Sequence, residues 1–277
     1  KRIGMSSGII RPGDKRGINP NELNIAKVAK ACGYKTCCAG KWHLGDQPKF
    51  LPTRVGFDTY FGLLYLDGQN SKKAPKGKPY PPLPLVKDDE VIEQNPDRTT
   101  ITKRMTDFVT NFIDENKDNP FMIYMPHIHV HGPISPGKAF AGKSANGTYG
   151  DAIEEMDWSV GQILKTLKAN KIEDNTLVLF TSDNGANELL PNASNHPLRA
   201  GKTTTYEGGF RVPCVGQWPK KIPAGSVCRE LLSAMDIMPT FAAMIGYNLK
   251  NAPKYDGYNI MPLLENPSKV MSPYKYF

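Results

Sequence analysis

Apolar residues near the start of the chain form first a helical and then a strand-like pattern. The helical positions recur at intervals of three and four: Ile25, Val28, Ala29 and Cys32. This spacing predicts a helix that begins near Asn21, and Gly33 supplies a C-terminal stop. The continuous apolar run at residues 34–39 then predicts a short strand.

Three more helices and three more strands are predicted further along the chain. One helix has an apolar face of Ile101, Met105, Phe108 and Phe112. Another has a longer apolar face of Ile153, Met156, Val160, Ile163, Leu164 and Leu167. Strands are predicted at residues 121–125, 176–180 and around 212–215, and a last helix at about 236–245.

The alternation of these elements predicts the fold class. The strands are short continuous apolar runs, as expected when helices cover both faces of a sheet. The chain is therefore predicted to be an α/β protein with a mostly parallel sheet sandwiched between helices. In such sheets ligands bind beyond the carboxyl ends of the strands, and the polar motifs of this chain directly follow strands.

The sequence gives no internal repeat and no domain boundary, so residues 1–277 are interpreted as one catalytic domain. A stretch rich in Pro, Gly and Lys interrupts the pattern at residues 67–95. Residues 68–95 are predicted to form an inserted loop, and the alternative is a lid that faces the substrate.

Composition narrows the class of protein. The hydrophobic content of 39% and the charged content of 22% are ordinary for a soluble globular protein. No run approaches the roughly 18 apolar residues of a membrane span, so none is expected. The formal charge of +8 indicates either a solvated basic surface or attraction of anionic substrates. The lysines are scattered and no nucleic-acid motif accompanies them, so no nucleic-acid partner is expected.

Cysteines and histidines are the residues that form disulfides and zinc sites. The five cysteines are odd in number and irregular in spacing, and Cys37 and Cys38 are adjacent in a predicted buried strand. This pattern predicts neither a disulfide framework nor a zinc site. His127, His129 and His131 alternate and would allow zinc, but no cysteine or acidic cluster accompanies them. One functional histidine with two structural neighbours is the favoured interpretation.

Two motifs that follow predicted strands carry candidate chemistry. Asp183 and Asn184 offer oxygen ligands that suit calcium or magnesium, although Asp, Asn and Gly also form ordinary turns. Lys41 and His43 would face the same way in a strand-like extension, where they could neutralise an oxyanion and move a proton. The alternative for that pair is an ordinary loop.

A third motif lies in the glycine-rich stretch 198–213. Its glycines indicate tight turns or close backbone approach, and Lys202 is a plausible anion contact in that setting. The alternative is a long hairpin-like loop before the next strand.

Taken together, these motifs resemble the sulfatase family, in particular its arylsulfatase A-like branch. The motifs occur in the family's order: Gly-Tyr-x-Thr at 33–36, Gly-Lys-Trp-His-Leu-Gly at 40–45, Pro-Thr-Arg-Val-Gly-Phe-Asp at 52–58, Phe-Gly at 61–62, and the segments 149–158, 180–185, 198–213 and 256–264. The resemblance covers nearly the whole chain apart from the loop around residues 68–95.

The resemblance implies a fold related to that of alkaline phosphatase and hydrolysis of sulfate esters. It implies one bound calcium ion, with Asp183 and Asn184 as metal ligands, and a formylglycine nucleophile that a formylglycine-generating enzyme makes from cysteine or serine. It assigns sulfate-binding and catalytic roles to Lys41, His43, His131 and Lys202. The substrate is expected to be an aryl sulfate or a sulfated glycan, and the compartment periplasmic, secreted or lysosomal.

This chain departs from the family pattern in three respects. The nucleophile motif, Cys or Ser-x-Pro-x-Arg, and the paired aspartates that precede it do not occur in the chain. The nucleophile is therefore expected in a missing N-terminal segment, with truncation also before a smaller C-terminal sheet, and the chain alone is expected to be inactive. Leu66 stands where this branch often has a polar residue. The alternatives are a phosphodiester or phosphonate hydrolase of the same superfamily and a non-catalytic binder of sulfated glycans.

Overall fold

The computed structural model describes residues 8–66, 74, 76, 78–250 and 252–275. Its helices are α1 (Ile25–Ala31), α2 (Ile101–Asn116), α3 (Gly147–Ala169), α4 (Glu207–Phe210), α5 (Ile237–Met244) and α6 (Met261–Glu265). Its strands are β1 (Lys35–Lys41), β2 (Thr59–Leu63), β3 (Pro84–Lys87), β4 (Glu90–Gln94), β5 (Phe121–Tyr124), β6 (Val178–Thr181) and β7 (Cys214–Gln217). The predicted helices and strands are all present, with ends shifted by a few residues.

The described residues divide into two compact units. The first unit is drawn from Lys1–Asp97, Asp107–Ile128 and Val227–Phe277, and the second from Arg98–Thr106 and His129–Ser226. The interpretation of residues 1–277 as one catalytic domain stays a prediction.

The first unit is built on a five-stranded sheet in the order β4-β3-β2-β1-β5. Strand β1 is parallel to both β2 and β5, whereas β3 and β4 join by antiparallel pairing. The α/β class is confirmed, and the sheet is mixed, with its parallel part at β2, β1 and β5.

Strand β1 lies between β2 and β5, and the side chains in its middle are small and apolar. Cys37, Cys38 and Ala39 are all fully buried. Gly40 lies opposite Gly62 of β2, and a Cβ added to Gly62 would lie 1.9 Å from Gly40 O. The two strands can therefore pair here only because position 62 carries no side chain.

Helices α1 and α2 bury part of the faces that the sequence predicted: Val28 and Ala29 in α1, and Ile101, Met105 and Phe112 in α2. Ile25, Cys32 and Phe108 are half-buried. In α1 the Asn24 side chain accepts from Lys27 N–H at 3.1 Å, which caps the helix three residues later than expected. In α2 the ring of Phe108 stacks on Phe61 of β2 with centroids 5.2 Å apart. The ring of Phe112 meets Phe121 of β5 edge to face.

The loop predicted at residues 68–95 is only partly irregular. Residues 67–73, 75 and 77 lie outside the described residues. The later part forms the hairpin of β3 and β4, and Leu83, Leu85 and Val86 are buried. The sequence did not indicate this hairpin, because Pro, Gly and Lys are frequent in the stretch and only a few of its apolar residues are buried.

The second unit contains α3 and the antiparallel pair of β6 and β7. The sequence predicted β6 as a buried strand of a parallel sheet. That prediction is wrong for these residues, because Leu179 is 39% exposed and β6 pairs antiparallel with β7.

Helix α3 has a different buried face from the one predicted. Ile153 is exposed, and of the predicted apolar positions only Leu167 is fully buried. The buried positions nearer the start of the helix are Gly150, Asp151, Ala152, Glu155 and Ser159. Three of them are polar, so the spacing of apolar residues predicted the wrong buried face of the helix.

All five cysteines lie within the described residues, and no disulfide joins them. Cys37 and Cys38 are buried as predicted, whereas Cys214 is exposed. Among the helices of the described ranges, none is long and apolar enough to cross a membrane.

Candidate functional site

Lys41 and His43 lie where β1 passes into a loop of the first unit. Lys41 ends the strand, and its N–H donates to Pro126 O at 2.8 Å. His43 has a φ of 54°, in the left-handed region that residues other than glycine seldom occupy. The strand geometry from which both side chains were expected to face the same way therefore does not extend to His43.

The surroundings of His43 hold it in this conformation. Its Nε2 lies 3.0 Å from Ile10 O, and because a carbonyl oxygen only accepts, Nε2 carries the proton of this hydrogen bond. The adjacent Trp42 is buried and donates from Nε1 to Phe50 O at 2.8 Å. Uncommon backbone conformations held by such contacts concentrate at functional sites.

Tyr65 and Leu66 follow the neighbouring strand β2, and both are buried. Burial, helped by the charge of Asp46, raises the pKa of Tyr65 to about 12, so the phenol stays protonated at neutral pH. The Leu66 side chain carries no polar atom. A contact from this side chain to a sulfate oxygen is therefore excluded.

Asp183 and Asn184 follow β6 directly, in the second unit. Asp183 is exposed and Asn184 is half-buried. The Asn184 side-chain amide donates to Asp183 Oδ1, and Ser182 Oγ donates to Asn184 O at 2.8 Å. The pair thus presents carboxylate and amide oxygens at the carboxyl end of a strand.

Lys202 lies in a loop that is bonded to the segment after Asn184. The Lys202 N–H donates to Ala186 O at 3.0 Å, and the Gly185 N–H donates to Gly209 O at 2.9 Å. The structure therefore brings the Lys202 loop and the Asp183–Asn184 segment together within the second unit.

The glycines of this loop allow the close approach that the sequence indicated. A Cβ on Gly185 would lie 1.7 Å from Gly208 O, and one on Gly208 would lie 1.8 Å from Ala200 O. Thr203, which follows Lys202, has a φ of 74°, a rare conformation for a β-branched residue.

Asn195 is a functional candidate that sequence reasoning missed. Its Oδ1 accepts from Ala186 N–H at 2.7 Å, and its Nδ2 donates to Ala186 O at 3.0 Å. Both bonds fix the backbone between Asn184 and Lys202. A lone asparagine in a polar loop gives no signal of such a role, because the bonding partner is defined only by the fold.

The three alternating histidines do not form a metal cluster. His129 is buried with its Nε2 3.1 Å from Glu155 Oε2, whereas His131 is half-buried and its Nδ1 donates to Gly132 O at 2.7 Å. Within the ranges that the structure describes, no group of three or more His, Cys, Asp or Glu side chains could hold a metal. The zinc alternative therefore has no support in these residues.

A pocket of about 420 Å³ lies beside the segment that follows His131. Its lining is Ile134, Gly147, Thr148, Tyr149, Leu190, Pro191 and Asn192. Burial raises the pKa of Tyr149, so its hydroxyl stays protonated at neutral pH. The pocket walls are mainly apolar, and they come from the segment that follows His131, the first turn of α3 and the loop at 190–192.

The oxygen atoms of Asp183 and Asn184 fit a calcium ion in kind but not in number. Calcium takes about six to eight oxygen ligands, and carboxylate and amide oxygens are among those it prefers. These two residues supply part of such a set, so further oxygen ligands would be needed from other groups.

Comparison with known proteins identifies the family. The sulfatase family model matches residues 3–247. Arylsulfatase A of Homo sapiens is 35% identical over 97% of this chain, which spans 56% of that protein's length. The PsFucS1 sulfatase from Pseudoalteromonas sp. superposes with a TM-score of 0.83 at 31% identity, over 93% of this chain and 58% of that one.

A second solved structure, Ps i-CgsB in complex with k-i-k-neocarrahexaose, has a TM-score of 0.81 and 32% identity over 98% of this chain and 64% of that one. The family model covers most of the chain, and the fold agrees. The chain therefore belongs to the sulfatase family.

Proposed function

We propose that the protein containing this chain hydrolyses sulfate esters. The observation that carries the proposal is the joining of the Lys202 loop to the segment after Asp183 and Asn184. These bonds join the loop of a cationic residue to the segment of two residues with oxygen-bearing side chains, which supports a proposed site for a metal-bound anion. The match of the sulfatase family model to residues 3–247 supports the same activity.

The proposed roles follow the chemistry of each side chain. Lys41 and Lys202 offset the negative charge of the sulfate oxygens, which would otherwise repel the nucleophile from the sulfur. His43 contacts the sulfate group through its imidazole. His131 donates a proton to the departing alcohol oxygen, the task for which an imidazole is suited near neutral pH.

We further propose that Asp183 and Asn184 hold one calcium ion. When bound, the ion would draw charge from the sulfate oxygens as a Lewis acid. The support is the type of ligand oxygen and its place at the end of β6. The nucleophile is proposed to be a formylglycine outside this chain, made by a formylglycine-generating or equivalent maturation enzyme.

The proposed substrate is an aryl sulfate or a sulfated glycan. The net charge of +8 would favour the approach of either anion. The proposed compartment is the periplasm, the lysosome or the exterior of the cell, as for the family that the motifs resemble.

The first test measures turnover of 4-nitrophenyl sulfate by the protein that contains this chain. We expect wild-type turnover and a fall of roughly 10²- to 10³-fold in kcat for Lys202→Ala. The matched control is Lys220→Ala, which removes an exposed lysine in another loop and should leave kcat unchanged.

An aryl phosphate diester as second substrate and a glycan-binding measurement distinguish the alternatives. Clear preference for an aryl phosphate diester over the sulfate would indicate a phosphodiester or phosphonate hydrolase. Sulfate-dependent glycan binding without turnover would indicate a binder. Equal loss of activity in both lysine variants would contradict the role given to Lys202.

A further inference from the structure

A buried side chain of helix α3 is bonded to the segment that carries His131. Glu155 is 2% exposed. Its Oε2 accepts from Gly137 N–H at 2.8 Å and lies 3.1 Å from His129 Nε2. Because a carboxylate oxygen only accepts, Nε2 of His129 carries the proton. One oxygen thus joins both sides of the His131 loop, which we define as residues 129–137.

The second attachment point is a glycine with little space around its Cα. A Cβ added to Gly137 would lie 2.8 Å from Glu155 Oε1 and 3.1 Å from Thr99 O. The backbone of the loop therefore lies close to the carboxylate, at ordinary hydrogen-bond distance. This closeness fixes the position of the loop against α3.

Asp151 is a second buried carboxylate on the same face of α3, and it binds a different part of the chain. Asp151 accepts from the N–H groups of Gly142, Lys143 and Ser144 at 2.8 to 3.0 Å. The hydrogen bonds from Ser144 and Gly142 lower the pKa of Asp151. Asp151 thus holds the chain after the His131 loop, whereas Glu155 alone of the two bonds to residues within it.

We infer that Glu155 and His129 are positioning residues for His131. The inference rests on the proposed sulfate-ester hydrolysis, in which His131 protonates the leaving group. Two bonds from a buried helix on either side of His131 restrict the directions that its imidazole can take. A restricted imidazole needs less ordering to reach the leaving oxygen, and small misplacements of such a group are costly for rate.

Kinetics of the full protein test the inference. Glu155→Ala should lower kcat by roughly 10- to 100-fold while KM changes less, because the remaining sulfate contacts are untouched. Glu155→Gln keeps an acceptor oxygen and should restore most of the lost rate. The matched control is Asp151→Ala, which should lower the Tm as much as Glu155→Ala but leave kcat near the wild-type value.

A double-mutant cycle separates positioning from general loss of structure. His131→Ala alone should lower kcat more than His129→Ala alone. In the His131→Ala background, Glu155→Ala should have no further effect on kcat, because its action passes through the missing imidazole. An equal loss in both backgrounds would overturn the inference. If Glu155→Ala does not fold, His129→Leu allows the same cycle.

Amide hydrogen exchange tests the contact independently of activity. The Gly137 amide should lose protection in Glu155→Ala and keep it in Asp151→Ala, where the amides of 142–144 should exchange faster instead. Unchanged Gly137 protection would overturn the inference. A wild-type protein that turns over no sulfate ester would instead refute the proposed function, with the exchange result still deciding the contact.

Discussion

At the scale of single residues, the candidate site is distinguished by backbone conformation as much as by side-chain type. His43 and Thr203 both have a positive φ, and each lies in or next to a motif with a candidate sulfate contact. Such conformations persist only where surrounding contacts stabilise them. For His43 these contacts include Ile10 O, and for the loop of Thr203 they include the bonds around Ala186.

Cysteine reactivity gives a residue-scale prediction. Burial raises the pKa of the Cys37 and Cys38 thiols, and the charge of Asp88 adds to the effect on Cys37. Both stay protonated at pH 8, where the thiolate is the species that reacts with iodoacetamide. We expect mass spectrometry to find the exposed Cys214 alkylated first, and Cys37 and Cys38 only after unfolding.

The control for this labelling is Cys214→Ser, which should remove the fastest phase. Alkylation of Cys37 in the folded protein at the rate of Cys214 would show that β1 is not buried as described.

At the scale of elements, the buried face of helix α3 carries polar residues that bind both the preceding segment and helix α2. Asp151, Glu155 and Ser159 follow each other at four-residue spacing on its buried face. Asp151 and Glu155 accept hydrogen bonds from backbone N–H groups of residues 137–144, the segment that precedes α3. Ser159 Oγ lies 2.6 Å from Thr106 Oγ1 of α2. The buried face of a helix normally consists of apolar side chains, and charged side chains are buried only when they are paired or hydrogen-bonded. These polar residues therefore mark where the helix holds irregular backbone in place.

Glycine substitutions test the packing of the elements. Gly62→Ala should destabilise the fold by about 1–3 kcal/mol or more, because the new Cβ meets the Gly40 carbonyl, which cannot move without breaking the strand pairing. Gly161 of α3 has open space around its Cβ position, so Gly161→Ala should stabilise by about 0.5–1 kcal/mol. Urea denaturation measures both. Equal midpoints for the two variants would contradict the β1–β2 register.

At the scale of the whole molecule, the chain spans about half the length of the curated relatives that it matches. The family is shown by the match over most of the chain, while the activity of the whole protein is a proposal.

The activity of the chain by itself is the prediction at this scale. We expect the purified 277-residue chain to show no turnover of an aryl sulfate, because it contains no Cys or Ser-x-Pro-x-Arg motif to supply the nucleophile. The control is a longer protein that contains both this chain and such a motif. Turnover by the chain alone, lost in Lys202→Ala, would show that the nucleophile lies within it.

The sequence by itself determined the α/β class, the order of the four helices and four strands that it predicted, and the family, but not β2, β3, β4, α4 or α6. It did so because apolar spacing is a local property, and because the motifs at 40–45, 180–185 and 198–213 are contiguous. Tertiary structure alone decided the β3–β4 hairpin, the turn of the backbone at His43 and the buried polar face of α3. It also decided the partners of Asn195 and Glu155. These features depend on hydrogen bonds and close contacts between residues far apart in the chain, which no local pattern records.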